Sequence, residues 1–528
     1  MRLVCVWLVV LCLMLVSSQA AYSVLGDGLE SAWGVVVCSK GYLMGGFLDN
    51  GSLYVCGYFR NYTGGKFTPR VFIAKYDVVG RKLLWLKVVE EFRGWPYGML
   101  VVGDRVYVSG FLAPDKGFVV CLDLSGSFLW GYIVERPLYG LLGFEDKVLA
   151  YGKGLVVLFS RDGEVVKASF IEVRNVGGKW IPMDFLSAQY VGEKIYVVGY
   201  QAYLLFAEKG FGRIFDGYVV CLSKDLEVLW AVGFGSREHN EYCRDICFDN
   251  GYLYVCGFYQ IYAKNKMVGE NIIVAKFSVN GSLEWAKSID CNEYDHASAV
   301  RVIGGDVFVV GNTNSGGLAA GLNDFVVVRI FGESDVYCYW TIGGNLSDFC
   351  WGAFFGENGI LVYGETSIWG LETTAGGFER YPVAVYWPLG SVGNVSWVKP
   401  GWGSIEIKKY GNFTATSLNF TVSKLSTRSK GVSYCKKYEF KLVGQKVEVV
   451  STKVVALQKE AQKGVEQVSQ SAKEKETKGE VSSGAKVCGK EVTLCVVSSV
   501  LFLVVAAAAL VLVIVVIYYF IKRVKRHS

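Results

Sequence analysis

The chain is 528 residues long, 52% hydrophobic and 15% aromatic, with 63 glycines against 8 prolines and a formal net charge of +6. Val- and Tyr-rich runs broken by Gly argue against a helical protein and for many short strands joined by tight turns. The charge is unevenly spread: residues 21–397 carry 31 basic and 39 acidic side chains, whereas 398–450 carry 10 and 3. An acidic body is a poor binder of polyanions, so nucleic acid is excluded as an expected partner.

The first segment, 1–20, reads as a signal peptide. Arg2 is its only charge, Leu3 to Val16 is apolar, and Ser18-Gln19-Ala20 offers small residues for cleavage.

Residues 21–397 are built on a repeated phrase, a β-branched and aromatic run ending in Gly. It occurs as Ser52-Leu-Tyr-Val-Cys-Gly57, Arg105-Val-Tyr-Val-Ser-Gly110, Lys147-Val-Leu-Ala-Tyr-Gly152 and Lys194-Ile-Tyr-Val-Val-Gly199. It recurs as Tyr252-Leu-Tyr-Val-Cys-Gly257, Asp306-Val-Phe-Val-Val-Gly311 and Gly359-Ile-Leu-Val-Tyr-Gly364. A second phrase follows, an apolar strand, a turn and a strand ending in Trp, giving the series Trp85, Trp130, Trp230, Trp285, Trp340 and Trp397. The third repeat has Glu164-Val165-Val166 in place of the Trp. A repeat of this length suits a four-stranded blade, and the expected fold is an all-β, seven-bladed β-propeller. The phrases resemble the secreted β-propeller repeats of the SBBP type and, more loosely, quinoprotein-like propellers. That resemblance covers about 22–397 and implies architecture rather than activity.

Residues 398–450 hold strand-like runs that suit either a small membrane-proximal β module, which is preferred, or strands that close the ring. Their positive charge suits anionic headgroups or plain solvation. Residues 451–491 contain no aromatic and read as a polar stalk. From Val492 to Ile521 there is no charge, enough for one transmembrane helix, and Lys522, Arg523, Lys525 and Arg526 follow. The positive-inside rule makes the 522–528 tail cytoplasmic and everything upstream extracellular.

Hairpin signals place the tight turns on one rim and the long connections on the other, where a propeller usually binds. Two of those connections are alike: His239-Asn240-Glu241-Tyr242-Cys243 and Cys291-Asn292-Glu293-Tyr294-Asp295-His296. With Asp348 in the next position, they supply the candidate ligand-binding residues His239, Glu241, Tyr242, Glu293, Asp295, His296 and Asp348. Acids at strand entrances also tie loops down by local hydrogen bonds, and that structural role competes with ligand binding. No spacing matches a metal motif, no catalytic residue is assigned, and no cofactor is expected.

Cys243 and Cys291 are the preferred disulfide, while Cys56, Cys121, Cys221 and Cys256 read as core residues. Sequons stand at Asn50, Asn61, Asn280, Asn345, Asn394, Asn412 and Asn419. The apolar connection from Tyr200 to Phe211 suits either a contact surface or a loop packed over the channel. Three functions compete: a binding module for a protein, glycan or envelope component, an extracytoplasmic enzyme of glycosidase, lyase or quinoprotein-like type, and a scaffold in a larger envelope or secretion complex.

Overall fold

The structure, a computed structural model, describes most of residues 33–444; residues 1–32, 445–528 and internal stretches including 203–214, 315–322 and 367–380 lie outside the described residues. The signal peptide, stalk, membrane helix and cytoplasmic tail expected from the sequence therefore fall outside them. Among the described residues no helix is long and apolar enough to cross a membrane.

Every repeat folds as an antiparallel four-stranded meander. The first comprises Gly41–Asp49, Ser52–Thr63, Lys66–Asp77 and the leading half of Lys82–Val102, whose trailing half opens the second with Arg105–Leu112, Lys116–Asp123 and Phe128–Val134. The third runs from Leu138–Phe144 through Lys147–Gly152 and Leu155–Ser160 to Val165–Arg174. The fourth holds Asp184–Val191, Lys194–Ala202, Phe215–Ser223 and Val228–Gly235. Asn240–Asp249, Tyr252–Ala263, Lys266–Ser278 and Leu283–Ile289 form the fifth. The sixth is Asp295–Ile303, Asp306–Thr313, Asp324–Ile330 and Val336–Gly343. The last is Asp348–Phe355, Gly359–Thr366 and Tyr381–Pro388, completed by Trp33–Val36 from the N-terminal end. First strands of consecutive sheets pack against one another, and Asp348–Phe355 returns to Gly41–Asp49, so the ring closes as a β-propeller.

The turns follow the sequence. Both central residues of Asn50-Gly51, Gly192-Glu193, Asn250-Gly251 and Gly304-Gly305 have positive φ, the type I′ geometry that matches strand twist.

Apolar clusters fill the space between neighbouring sheets, as when Val108, Phe118 and Val120 pack with Val71, Ile73 and Cys56. The repeated Trp locks one sheet to the next. Trp85 donates its Nε1–H to the Leu124 carbonyl (3.1 Å) and Trp130 to that of Arg161 (3.1 Å), both in the following sheet's last turn. That turn presses a positive-φ Gly onto the indole: a Cβ on Gly163 would lie 2.5 Å from Trp130. At the fifth–sixth junction lysines take over: Lys287 Nζ donates to the Glu333 (2.8 Å) and Ser334 (2.6 Å) carbonyls.

Two features of the Trp series are corrected. Trp397 does not end the last sheet. Trp33 pairs with Tyr386 there, in the register that pairs Trp130 with Cys121, so the N-terminal strand supplies the missing position and closes the ring. In the third sheet Lys167, rather than Glu164–Val166, stands opposite Leu158, the counterpart of Cys121.

The segment expected as a separate membrane-proximal module is a belt instead. Ser396–Trp397 lies parallel to Trp33–Val36. Glu406–Thr414 then pairs with Val336–Gly343, Thr416–Ser417 with Leu283–Ile289 and Thr421–Lys424 with Val228–Gly235. Thr427–Gly431, Cys435–Lys437 and Leu442–Gly444 continue onto Val165–Arg174, Phe128–Val134 and Lys82–Val102. The chain thus runs back around the perimeter, adding a fifth strand to each sheet in reverse order. Its physical reason is the outer strands' row of unpaired N–H and C=O groups, which these short runs satisfy. Charge assists: Glu172 accepts from Arg428 Nε (2.7 Å) and Lys430 Nζ (2.8 Å), which hold its carboxyl below the usual range against the opposing effect of burial.

Trp130→Ala is expected to cost about 3–5 kcal/mol in chemical denaturation, through the emptied slot and the orphaned Arg161 carbonyl. Glu172→Ala is expected to speed tryptic cleavage at Arg428 and Lys430 in the native protein. An unchanged cleavage rate would contradict the ionic clamp.

Candidate functional site

The phrase-ending glycines position the site. A Cβ on Gly257 would overlap the Tyr242 carbonyl oxygen, and one on Gly311 that of His296. Those carbonyls belong to a β-bulge in the neighbouring first strand, where one residue is skipped in the pairing. The register jumps from Cys243 to Asp245 opposite Gly257 and Cys256, leaving Arg244 unpaired. The same jump in the other sheets leaves Met44, Tyr97, Tyr139, Leu186, Ser298 and Trp351 unpaired.

All of these bulge residues line one central cavity of about 680 Å³. The ring is mostly apolar and aromatic: Tyr97 and Tyr139 meet edge to face at 5.7 Å, and Trp351 is 43% exposed. Arg244 is its single charged member. The guanidinium carbon lies 6.0 Å from the Tyr200 ring centre and 5.7 Å from that of Phe258. Phe258 in turn stacks on His296 at 4.1 Å, and His296 Nε2 hydrogen-bonds Glu270. That bond, with one from Gln260 Nε2 (2.7 Å), outweighs burial and lowers the Glu270 carboxyl pKa.

Two further carboxylates reach the cavity wall. Asp245 accepts from Ser187 Oγ (2.5 Å) and from the Val300 N–H (2.9 Å), tying three consecutive first strands together. Burial raises its pKa, and these bonds oppose the rise. Asp184 is different. Burial pushes its carboxyl up to about 6, and its Oδ1 has no hydrogen-bond partner among the described residues.

The residues singled out by sequence divide. His296 lines the cavity. Tyr242 stands behind the lining, stacked on Phe258 at 4.7 Å. Glu241 is buried and accepts from the Ser236 N–H (3.0 Å) and Oγ (2.7 Å), while Asp295 accepts from the Cys291 N–H (2.6 Å), so both tie turns. Asp348 is fully buried at a strand start, its N–H donating to the Asn323 carbonyl (2.7 Å). His239 packs on Tyr259 at 5.2 Å, and Glu293 lies outside the described residues. Among the described residues no three His, Cys, Asp or Glu side chains group as a metal site.

The expected Cys243–Cys291 disulfide is corrected: both are buried free thiols in different inter-sheet clusters. Cys56, Cys121, Cys221 and Cys256 are buried core residues. Asn50 and Asn280 sit exposed at hairpin turns; Asn61, Asn394 and Asn412 lie on strands, and Asn345 and Asn419 outside the described residues. Of the Tyr200–Phe211 connection, Tyr200 lines the cavity and most of the rest lies outside the described residues.

No protein-family model matches the chain, and no curated protein matches it in sequence. Solved structures similar to it include the Neurospora crassa Pan2 WD40 domain, 12% identical over 67% of this chain and 98% of that one, with a TM-score of 0.39. BamB from Moraxella catarrhalis is 12% identical over 63% and 93%, with a TM-score of 0.33. The phage phi92 endosialidase is 8% identical over 68% and 70%, with a TM-score of 0.40. The architecture rests on the strand pairing.

Asp184 makes stability pH-dependent. Because the folded carboxyl titrates near 6, above its ordinary value of 3.8, folding holds the proton more tightly and stability falls as pH rises through that window. Asp184→Asn is therefore expected to raise the melting temperature at pH 8, by about 1–2 kcal/mol of stability after allowing for partial exposure, and to leave it unchanged at pH 3.5.

Proposed function

We propose that this chain is a membrane-anchored extracellular binding protein, a seven-bladed β-propeller that takes a glycan in its central cavity. The cleavable N-terminal segment 1–20 exports it, 451–491 serves as a polar stalk and 492–521 anchors it. The observation that carries the binding reading is the ring of bulge residues. It turns one side chain per blade into a single cavity, and it combines flat aromatic faces with a few polar groups. Such a wall suits a sugar ring, whose C–H faces stack on Tyr or Trp while its hydroxyls meet Asp184, His296 and the tyrosine hydroxyls.

The full-length protein in detergent micelles, titrated calorimetrically with a panel of neutral and acidic oligosaccharides, tests this. Trp351→Ala and Tyr139→Ala are each expected to weaken binding tenfold or more. Binding that persists unchanged in both variants would move the site out of the cavity. A protein partner at the rim would instead leave every saccharide unbound.

One observation favours a second reading, a glycan-cleaving enzyme. Asp184 lines the cavity and burial pushes its carboxyl up to about 6, which suits it to donate a proton to a leaving oxygen. Incubation of the bound saccharide with the protein separates the two. Shortened products that disappear with Asp184→Asn support cleavage, and an intact saccharide supports binding alone.

A further inference from the structure

We infer that the cavity's ligand is an acidic saccharide whose carboxylate is taken by Arg244, a reading that rests on the glycan proposal above and specifies its chemistry.

Arg244 is exposed and is the one charged side chain among the bulge residues. Its position is fixed by the Gly257 phrase, because the bulge that Gly257 admits is what takes Arg244 out of the ladder and sets it against the cavity. Tyr200 and Phe258 border the guanidinium. Aromatic neighbours hold such a group without consuming its N–H donors, so its edge stays available for a planar two-oxygen acceptor.

No carboxylate of the described residues closes an ion pair on that edge, although the Arg244 charge helps to lower the Glu270 pKa. Among the described residues Arg244 forms no ion pair. Glu270 is engaged by His296 and Gln260. The adjacent Asp245 is satisfied by Ser187 and the Val300 N–H. A guanidinium left open in an acidic domain, beside aromatic platforms, matches a sugar ring carrying a carboxylate. Two parallel N–H···O bonds would fix the sugar's orientation, and Tyr97, Tyr139 and Trp351 would take its apolar faces.

The test is calorimetric titration of the full-length protein in detergent micelles with trigalacturonate, its methyl ester, neutral cellotriose and 3′-sulfolactose, a sulfated disaccharide without a carboxylate. Trigalacturonate is expected to bind at least tenfold more tightly than its ester. Arg244→Gln is expected to abolish that difference with an unchanged melting temperature, and Arg244→Lys to retain part of it. If Arg244→Gln leaves trigalacturonate binding intact, or the sulfated disaccharide binds ahead of it, the carboxylate assignment is overturned. Cellotriose binding as tightly as trigalacturonate, lost in Trp351→Ala but unaffected by Arg244→Gln, would overturn the assignment while keeping the glycan reading. Failure of every saccharide to bind would overturn the glycan reading itself.

Discussion

The structure depends on one steric constraint, repeated around the ring: the phrase-ending glycine in each blade's second strand faces a carbonyl oxygen where no Cβ fits. Because the glycine is there, the first strand bulges, and because it bulges, one residue per blade leaves the ladder and joins the cavity wall. Architecture and site therefore share a cause. A sequence selected to keep the glycine for packing carries, on the partner strand, a position free to vary in chemistry. In this chain those positions hold Met, two Tyr, Leu, Arg, Ser and Trp, which is the composition of a binding surface more than of a core.

Closure is arranged twice. Trp33–Val36 completes the last blade, so that blade is built from the two ends of the repeat region. The belt then runs over the outer strands and answers their unpaired backbone groups, which would otherwise be templates for association with other chains. The opposite signs of charge on body and belt fit this arrangement, with Glu172 between Arg428 and Lys430 as its local expression.

The four-stranded repeat was legible because its phrases carry strong local signals: a β-branched run, a terminal Gly, a hairpin pair such as Asn250-Gly251, and a Trp. The belt was not, since a strand of two or three residues such as Thr416–Ser417 is specified only by the edge it meets. Trp397 falls in line with the Trp series because sequence order says nothing of a strand returning from the N-terminus. At the site, the His- and Glu-bearing loops drew attention through residue type, yet Glu241 and Asp295 proved to be turn ties. Arg244 and Trp351 stand in no motif of their own. A signal for them exists: each stands one residue past the partner of a phrase-ending Gly, and aligning the repeats on that Gly would have brought Met44, Tyr97, Tyr139, Leu186, Arg244, Ser298 and Trp351 into one column.

The most direct measurement is a structure of the full-length protein with trigalacturonate bound. The expected result is a sugar inside the ring, stacked on Tyr139 or Trp351, with a carboxylate about 2.7–2.9 Å from the Arg244 guanidinium. A saccharide seated on the outer rim or the belt, with the ring of bulge residues untouched, would contradict it.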